Sequence, residues 1–443
     1  MTGLVMFAAA LAALIIGYPV AFTFGSVALV FGAIAAFVEM MPDPSFMMVA
    51  EEFGSMFSMM PFRIYSIMTN TILMAIPLFI LMGLILQRSQ LAERLLESMG
   101  ILFGKLRGGL AISTVLVGTL LAASTGVVGA SVVAMGVISL PVMLKHGYSK
   151  KLATGTICAA GTLGQIIPPS IVLIILGDVF QQPVGDLFQA ALMPGLVLVG
   201  CYILYIIVIS IIDKDAAPEI IIPEELKKGA VLRAIIAIVP PLALIIMVLG
   251  SIFMGVATPT ESASVGALGA MVLAAMFKRL SWDVVIDSSL ETVKITAMVF
   301  AILIGATAFS MVFVYTGADY MVEEFMMGLP GEKWGFLILS MSAIMVLGFF
   351  IDFIEISYIV VPILLPIAEA IGINPLWYAI LIAMNLQTSF LSPPFGFSLF
   401  YLKGVCPPEV RTTDIYRGVV PFIIIQLLVL ASIVIFPAIY GLQ

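Results

Sequence analysis

The chain has 443 residues, of which 62% are hydrophobic and 10% charged, with a mean hydropathy of +1.22. Soluble domains carry about 25% charged residues, so this composition specifies a polytopic helical membrane protein and excludes a soluble catalytic domain. The net charge of −7 is scattered over short loops, and the three cysteines have no paired or metal-like spacing, which excludes a disulfide framework.

Apolar runs predict membrane segments at about 3–16, 19–38, 71–87, 108–122, 131–144, 152–180 and 189–212. They continue at about 232–256, 261–277, 294–316, 335–350, 353–371, 375–402 and 418–440. The first Lys or Arg is Arg63, so the N-terminal run lacks the basic start of a cleavable signal and is expected to remain in the mature chain. The less apolar stretches 42–66 and 279–293 are expected at the interface, with Ser55–Phe62 and Trp282–Leu290 as amphipathic segments lying along the membrane plane. The polar linker Asp213–Lys228 reads as the main boundary, dividing approximate repeats of 1–212 and 232–443.

Two adjacent pairs, 108–122 with 131–144 and 335–350 with 353–371, are short for spanning helices and read as re-entrant hairpins. Arg88, Arg94, Lys105 and Arg107 precede the first, and Lys145, Lys150 and Lys151 follow it, which puts both its ends on the cytoplasmic side. The second lies between Asp319, Glu323, Glu324, Glu332 and a lone Lys333 on one side and Glu369 with no positive charge on the other, which puts it on the outer face. A proline offset agrees: Pro141 and Pro366, like Pro168 and Pro393, are separated by 225 residues. The predicted fold class is therefore all-α, with inverted-topology repeats, two opposed re-entrant hairpins and two helices broken at Pro168-Pro169 and Pro393-Pro394.

The first tip, Ala123 to Ser131, holds Ser124, Thr125, Gly126, Gly129 and Ser131. The first break holds Thr162, Gly164, Gln165 and Pro168. Glycines turn the backbone and proline frees a carbonyl one turn back, so tip and break together offer neutral oxygens suited to sodium rather than a divalent ion. The same small residues equally permit close helix packing; their occurrence as two repeated tip-and-break units favours cation sites. Asp352 and Glu355 stand three apart in an apolar segment, where an acid costs at least about 2.5–3.5 kcal/mol on insertion scales. They are read as coupling residues for cation or substrate, the alternative being an outer-surface position or a partner subunit's basic residue. Asn385, Gln387, Thr388, Ser389 and Ser392 line the second break. Arg63 on the amphipathic arm reads as a snorkelling surface residue. His146, the one histidine, sits in a polar loop, and Gly104-Lys105 lacks the spacing of a nucleotide loop, so neither enzymatic nor ATP-driven chemistry is expected.

Arg107-Gly108-Gly109-Leu110-Ala111, Gly147-Tyr148, Gly161 to Ile171, Asn385-Leu386 and Pro393-Pro394-Phe395-Gly396 together resemble the large membrane subunit of TRAP (tripartite ATP-independent periplasmic) transporters. The first tip reads Gly126-Val127 where that family usually has Gly-Ser. The resemblance implies a scaffold and a transport domain moving as an elevator, powered by a sodium gradient. It divides the chain into a first scaffold segment with arm helix (1–87), a first transport half (88–188), a second scaffold segment with linker and arm helix (189–316), a second transport half (317–417) and a C-terminal helix (418–443). It also implies a bacterial inner-membrane location, a small four-helix membrane subunit and a periplasmic substrate-binding protein as partners, and an organic acid anion as substrate, with no nucleic acid. On this reading sodium is bound by Ser124, Thr125, Gly126, Gly129, Ser131, Gly164, Pro168, Asp352, Glu355, Asn385 and Ser389. Substrate is bound by Thr162, Gln165, Gln387, Thr388 and Ser392. The alternative is a stand-alone sodium-coupled carboxylate carrier of the divalent-anion type, needing neither partner.

Overall fold

The structure, a computed structural model, describes residues 1–443 except 42–44, 90, 105, 127, 220–228 and 443, and only the backbone of 91, 92, 124, 125 and 230. Most of the expected linker and residue 127 of the first tip thus lie outside the described residues. The described elements are all helical. The first are α1 (Thr2–Ile16), α2 (Val20–Glu39), α3 (Phe46–Met56) and α4 (Met60–Thr69). Next come α5 (Ala75–Arg88), α6 (Leu91–Phe103), α7 (Gly109–Thr125), α8 (Val128–Lys145), α9 (Lys150–Thr162), α10 (Ile171–Val179) and α11 (Val184–Ile212). Then follow α12 (Ala230–Phe253), α13 (Pro259–Met276), α14 (Trp282–Tyr315), α15 (Ala318–Met327) and α16 (Lys333–Leu347). The last are α17 (Phe353–Ala370, with a π-helical turn over Ile356–Val360), α18 (Pro375–Leu391), α19 (Phe397–Val405) and α20 (Thr412–Ile435).

Among the described residues seven helices are long and apolar enough to cross a membrane: α2, α8, α11, α12, α14, α17 and α20. This is a multi-pass membrane protein. Helix α7, at 17 residues, reaches about 25 Å and falls short of the roughly 30 Å hydrocarbon core, whereas α8 and α17, which the sequence reads as short hairpin arms, are long enough to span. One expectation is corrected. Trp282–Leu290 is not a separate interfacial segment but the start of α14, a single helix of 34 residues. No Gly or Pro interrupts 282–304, and Asp283, Asp287, Glu291 and Lys294 recur at helical spacing, so one polar stripe runs straight into the apolar span.

The chain forms two compact units, Met1–Leu73 with Val293–Pro375 and Met74–Thr292 with Leu376–Gln443. In the first, α14 meets α2 so closely that a Cβ at Gly305 would stand 2.6 Å from the Ala21 carbonyl oxygen. The Phe24 and Phe309 rings pack edge-to-face there, 5.1 Å apart, and the Tyr315 hydroxyl donates to the Glu52 carboxylate.

The second unit is built around α9 and α18. Every residue of Leu152–Thr162 and of Trp377–Leu391 is buried, as expected of helices lacking a polar stripe. Helix α9 lies backbone to backbone with α20: a Cβ at Gly155 would fall 2.1 Å from the Gly418 oxygen, and one at Gly418 2.2 Å from the Lys151 oxygen. Small residues bring helices this close, and close approach is what holds helices together where the surrounding lipid is as apolar as their side chains.

Candidate functional site

Helix α7 ends at Gly126, whose φ of 59° is the left-handed conformation glycine adopts freely; its N–H closes on the Ala122 carbonyl. Helix α8 starts two residues later and returns alongside α7. The side chain of Gln87, at the end of α5, donates to the Ala130 carbonyl at 3.3 Å and ties the first turn of α8 in place. At the base of the hairpin the Leu110 N–H donates to the Tyr148 hydroxyl at 3.2 Å, and burial pushes that phenol above its ordinary pKa and keeps it neutral.

The first broken helix interlocks with this hairpin. A Cβ at Gly161 would lie 2.3 Å from Val132 Cγ2, and one at Gly164 would lie 3.1 Å from the Ala122 oxygen. Helix α9 ends at Thr162, tightens into a 3-10 turn over Leu163–Gln165, and restarts as α10 behind Ser170. Pro168 has no N–H to return to the Gly164 carbonyl, so that oxygen loses its helical partner. The Gln165 carbonyl accepts from the Ser170 hydroxyl at 2.7 Å. The Gln165 side chain is fully buried, with neither amide atom hydrogen-bonded among the described residues.

The second break begins later than the sequence suggested. Asn385–Leu391 stays α-helical, and the chain leaves the helix only at Ser392. The hydroxyls explain this, because they bond back along their own helix: Thr388 to the Met384 carbonyl, Ser389 to Leu386 and Ser392 to Thr388, each at 2.8 Å. A hydroxyl that donates its proton in this way keeps its lone pairs free for a cation. At 100° per residue Asn385, Thr388, Ser389 and Ser392 share one face of α18, while Gln387 stands opposite. Pro168-Pro169 and Pro393-Pro394 are both cis.

Helix α19, behind the second break, packs on the first hairpin. A Cβ at Gly129 would lie 3.0 Å from the Tyr401 ring, and one at Gly136 would lie 2.8 Å from Leu402 Cδ1. The thiol of Cys158 in α9 donates to the Ser398 carbonyl at 3.7 Å. The second unit therefore gathers the first hairpin and both breaks. The stretches 122–132, 159–171 and 385–398 carry no charged side chain, so what they offer is neutral oxygen and amide. Such a set fits a hard monovalent cation and not a divalent one. Each break also leaves the carbonyl end of one helix beside the N–H end of the next, an arrangement able to face a cation and an anion.

Most sequence-predicted site residues fall in this unit. Thr162, Gly164, Gln165, Pro168, Asn385, Gln387, Thr388, Ser389 and Ser392 are buried, as are Gly126 and Ser131, while Gly129 is half-buried. The side chains of Ser124 and Thr125 lie outside the described residues. Asp352 and Glu355 belong to the first unit, apart in the chain division from Asn385–Pro393, with which the sequence grouped them. Asp352 is extended and caps α17, accepting from the Phe353 N–H at 2.6 Å, so it does not share a helical face with Glu355. Glu355 is buried, and its Oε2 has no hydrogen bond among the described residues. Sequence reasoning passed over Gln87, Ser170, Tyr202 and Gln426; the two glutamines, as polar interruptions of apolar runs, were the available signal.

Paired helix breaks packed on a short hairpin define a transport protein of the bilayer rather than a scaffold, which has no use for unwound backbone at membrane depth. Residues 6–439 match the family described as the tripartite ATP-independent periplasmic transporter, DctM component. The chain is 31% identical over 369 residues to the C4-dicarboxylate TRAP transporter large permease protein DctM of Pseudomonas aeruginosa, covering 83% of this chain and 84% of that one. It is 30% identical over 370 residues to the ectoine TRAP transporter large permease protein TeaC of Halomonas elongata, with 83% and 84% covered. In fold it is similar to the YdaH transporter of Alcanivorax borkumensis, with a TM-score of 0.65 over 95% of this chain and 98% of that chain at 14% identity. The chain belongs to the DctM family of TRAP transporter large permease subunits, multi-pass proteins of the bacterial inner membrane.

Proposed function

We propose that this chain is the membrane-embedded carrier of a sodium-coupled importer for an organic acid anion, working with a small membrane subunit and a periplasmic binding protein. The observation that supports it most is the junction of the first hairpin with the first break. Gly164 and Gly126 bring backbone oxygens and turned peptide units together in a buried, uncharged setting. On this reading the Gly164 carbonyl, the tip of the first hairpin and the Ser131 hydroxyl hold one sodium. Asn385, Ser389 and Ser392 present a second oxygen-bearing face, and Asp352 and Glu355, in the first unit, form a separate acidic pair that takes part in coupling. The N–H ends of α10 and α19 would favour a carboxylate.

The interlocking of the first hairpin with the first break and with α19 supports a transport body whose parts move together, the elevator mode. The name of one relative supports a dicarboxylate-like substrate. The name of the other, ectoine, shows that membership alone does not select the ligand, so ligand screening starts with the binding protein.

The test is uptake in proteoliposomes containing this chain and its small subunit, with binding protein outside. Uptake should require both an inward sodium gradient and the binding protein. Uptake that persists with potassium replacing sodium refutes the coupling. Uptake of free substrate without binding protein favours the stand-alone carrier instead.

A further inference from the structure

Three polar side chains meet in the second unit away from both breaks. Tyr202 in α11, Gln387 in α18 and Gln426 in α20 are each fully buried. The Tyr202 ring packs edge-to-face on Phe422 at 5.1 Å, and Phe422 lies one helical turn before Gln426, so Gln426 projects from the same side of α20 toward Tyr202. The Tyr202 hydroxyl faces both amides. These contacts are loose, and the hydroxyl, both Oε1 atoms and both Nε2 atoms lack a well-formed hydrogen bond among the described residues.

Five orphaned polar atoms at one buried point are costly, each at about 1–3 kcal/mol, and such groups are normally satisfied. The amides need acceptors as well as donors, which a cation cannot supply and a water molecule can. A buried water takes about three hydrogen bonds in such a setting. We propose that Tyr202, Gln387 and Gln426 enclose a structural hydration site, one or more ordered waters joining the broken helix α18 to α11 and α20. The site lies on the side of α18 opposite Asn385, Ser389 and Ser392.

Hydroxyl-radical footprinting by X-ray pulse, on the full chain in lipid nanodiscs with mass-spectrometric readout, tests this directly. Radicals formed from bound water oxidise the nearest reactive ring even where bulk solvent cannot reach. Tyr202 should be oxidised, whereas Phe188, equally buried beside Phe79, should not. Exposed Tyr18 provides the reference dose. In the Gln387→Leu, Gln426→Leu double variant, Tyr202 oxidation should fall to the level of Phe188. The wild-type comparison stands even if that variant does not fold. An unoxidised Tyr202 at a dose that modifies Tyr18 means a dry junction and overturns the proposal. Equal oxidation of Tyr202 and Phe188 assigns the signal to opening of the whole unit and overturns it as well.

Discussion

Ser398 donates its hydroxyl to the Phe390 carbonyl at 2.8 Å, reaching back across the second Pro-Pro break. Ser170 does the same for the Gln165 carbonyl across the first, at 2.7 Å. Gln165 and Phe390 are 225 residues apart, the offset that relates the prolines, and each stands three residues before its Pro-Pro pair. The serines come from different positions, five residues on in one half and eight in the other. What corresponds between the breaks is the capped carbonyl, not the residue that caps it.

Ser398→Ala should remove the hydroxyl bond to the Phe390 carbonyl, at a cost of about 0.5–1.5 kcal/mol. The thermal midpoint in detergent should fall, and Ser398→Thr should recover most of the loss. An unchanged midpoint in Ser398→Ala would mean the bond adds nothing to stability.

Gly161 should not tolerate a side chain. Alanine there drives Cβ into Val132, against both Cγ2 and the α8 backbone, and overpacking of this kind costs about 1–3 kcal/mol. Gly200 of α11 has open space around it, so Gly200→Ala should be neutral or stabilising by up to about 1 kcal/mol through helix propensity. Paired melts of the two variants check the contrast. Similar behaviour in both would contradict the interlocking of the hairpin with the first break.

Asp352→Asn should preserve folding, because asparagine caps a helix as well as aspartate does. Any change in sodium response then reports charge alone. The half-saturating sodium concentration for uptake should rise several-fold, and Glu355→Gln should act in the same direction. Wild-type sodium response in both variants would remove the second hairpin from the coupling.

Gln87→Leu should release the first turn of α8 by deleting the bond to Ala130. Hydrogen exchange at 128–132 should accelerate, with the rest of α8 unaffected. Unchanged exchange would show that helix packing alone holds the tip.

The sequence made the first turn and the two breaks legible because Gly and Pro act locally: Gly126 forces a turn, and Pro168 removes a donor, whatever surrounds them. It misplaced the start of the second break, since Thr388, Ser389 and Ser392 look like unwinding residues but bond to their own helix. It divided α14 because a drop in hydropathy at 279–293 does not end a helix that has no breaker. The junction of Tyr202, Gln387 and Gln426 brings together positions far apart in the chain, and only packing shows that they meet. Gln387, grouped in the sequence with the residues of the break, stands on the other side of α18 from them.

The central claim is that the first hairpin and the two breaks hold sodium through neutral oxygens. Hydrogen exchange of the purified protein in sodium chloride against potassium chloride, at equal ionic strength, tests it most directly. Peptides covering 122–132 and 159–171 should be protected by sodium alone, with a weaker effect at 385–398, and Ser131→Ala should diminish the first of these. Identical exchange in the two salts throughout these segments would contradict the account.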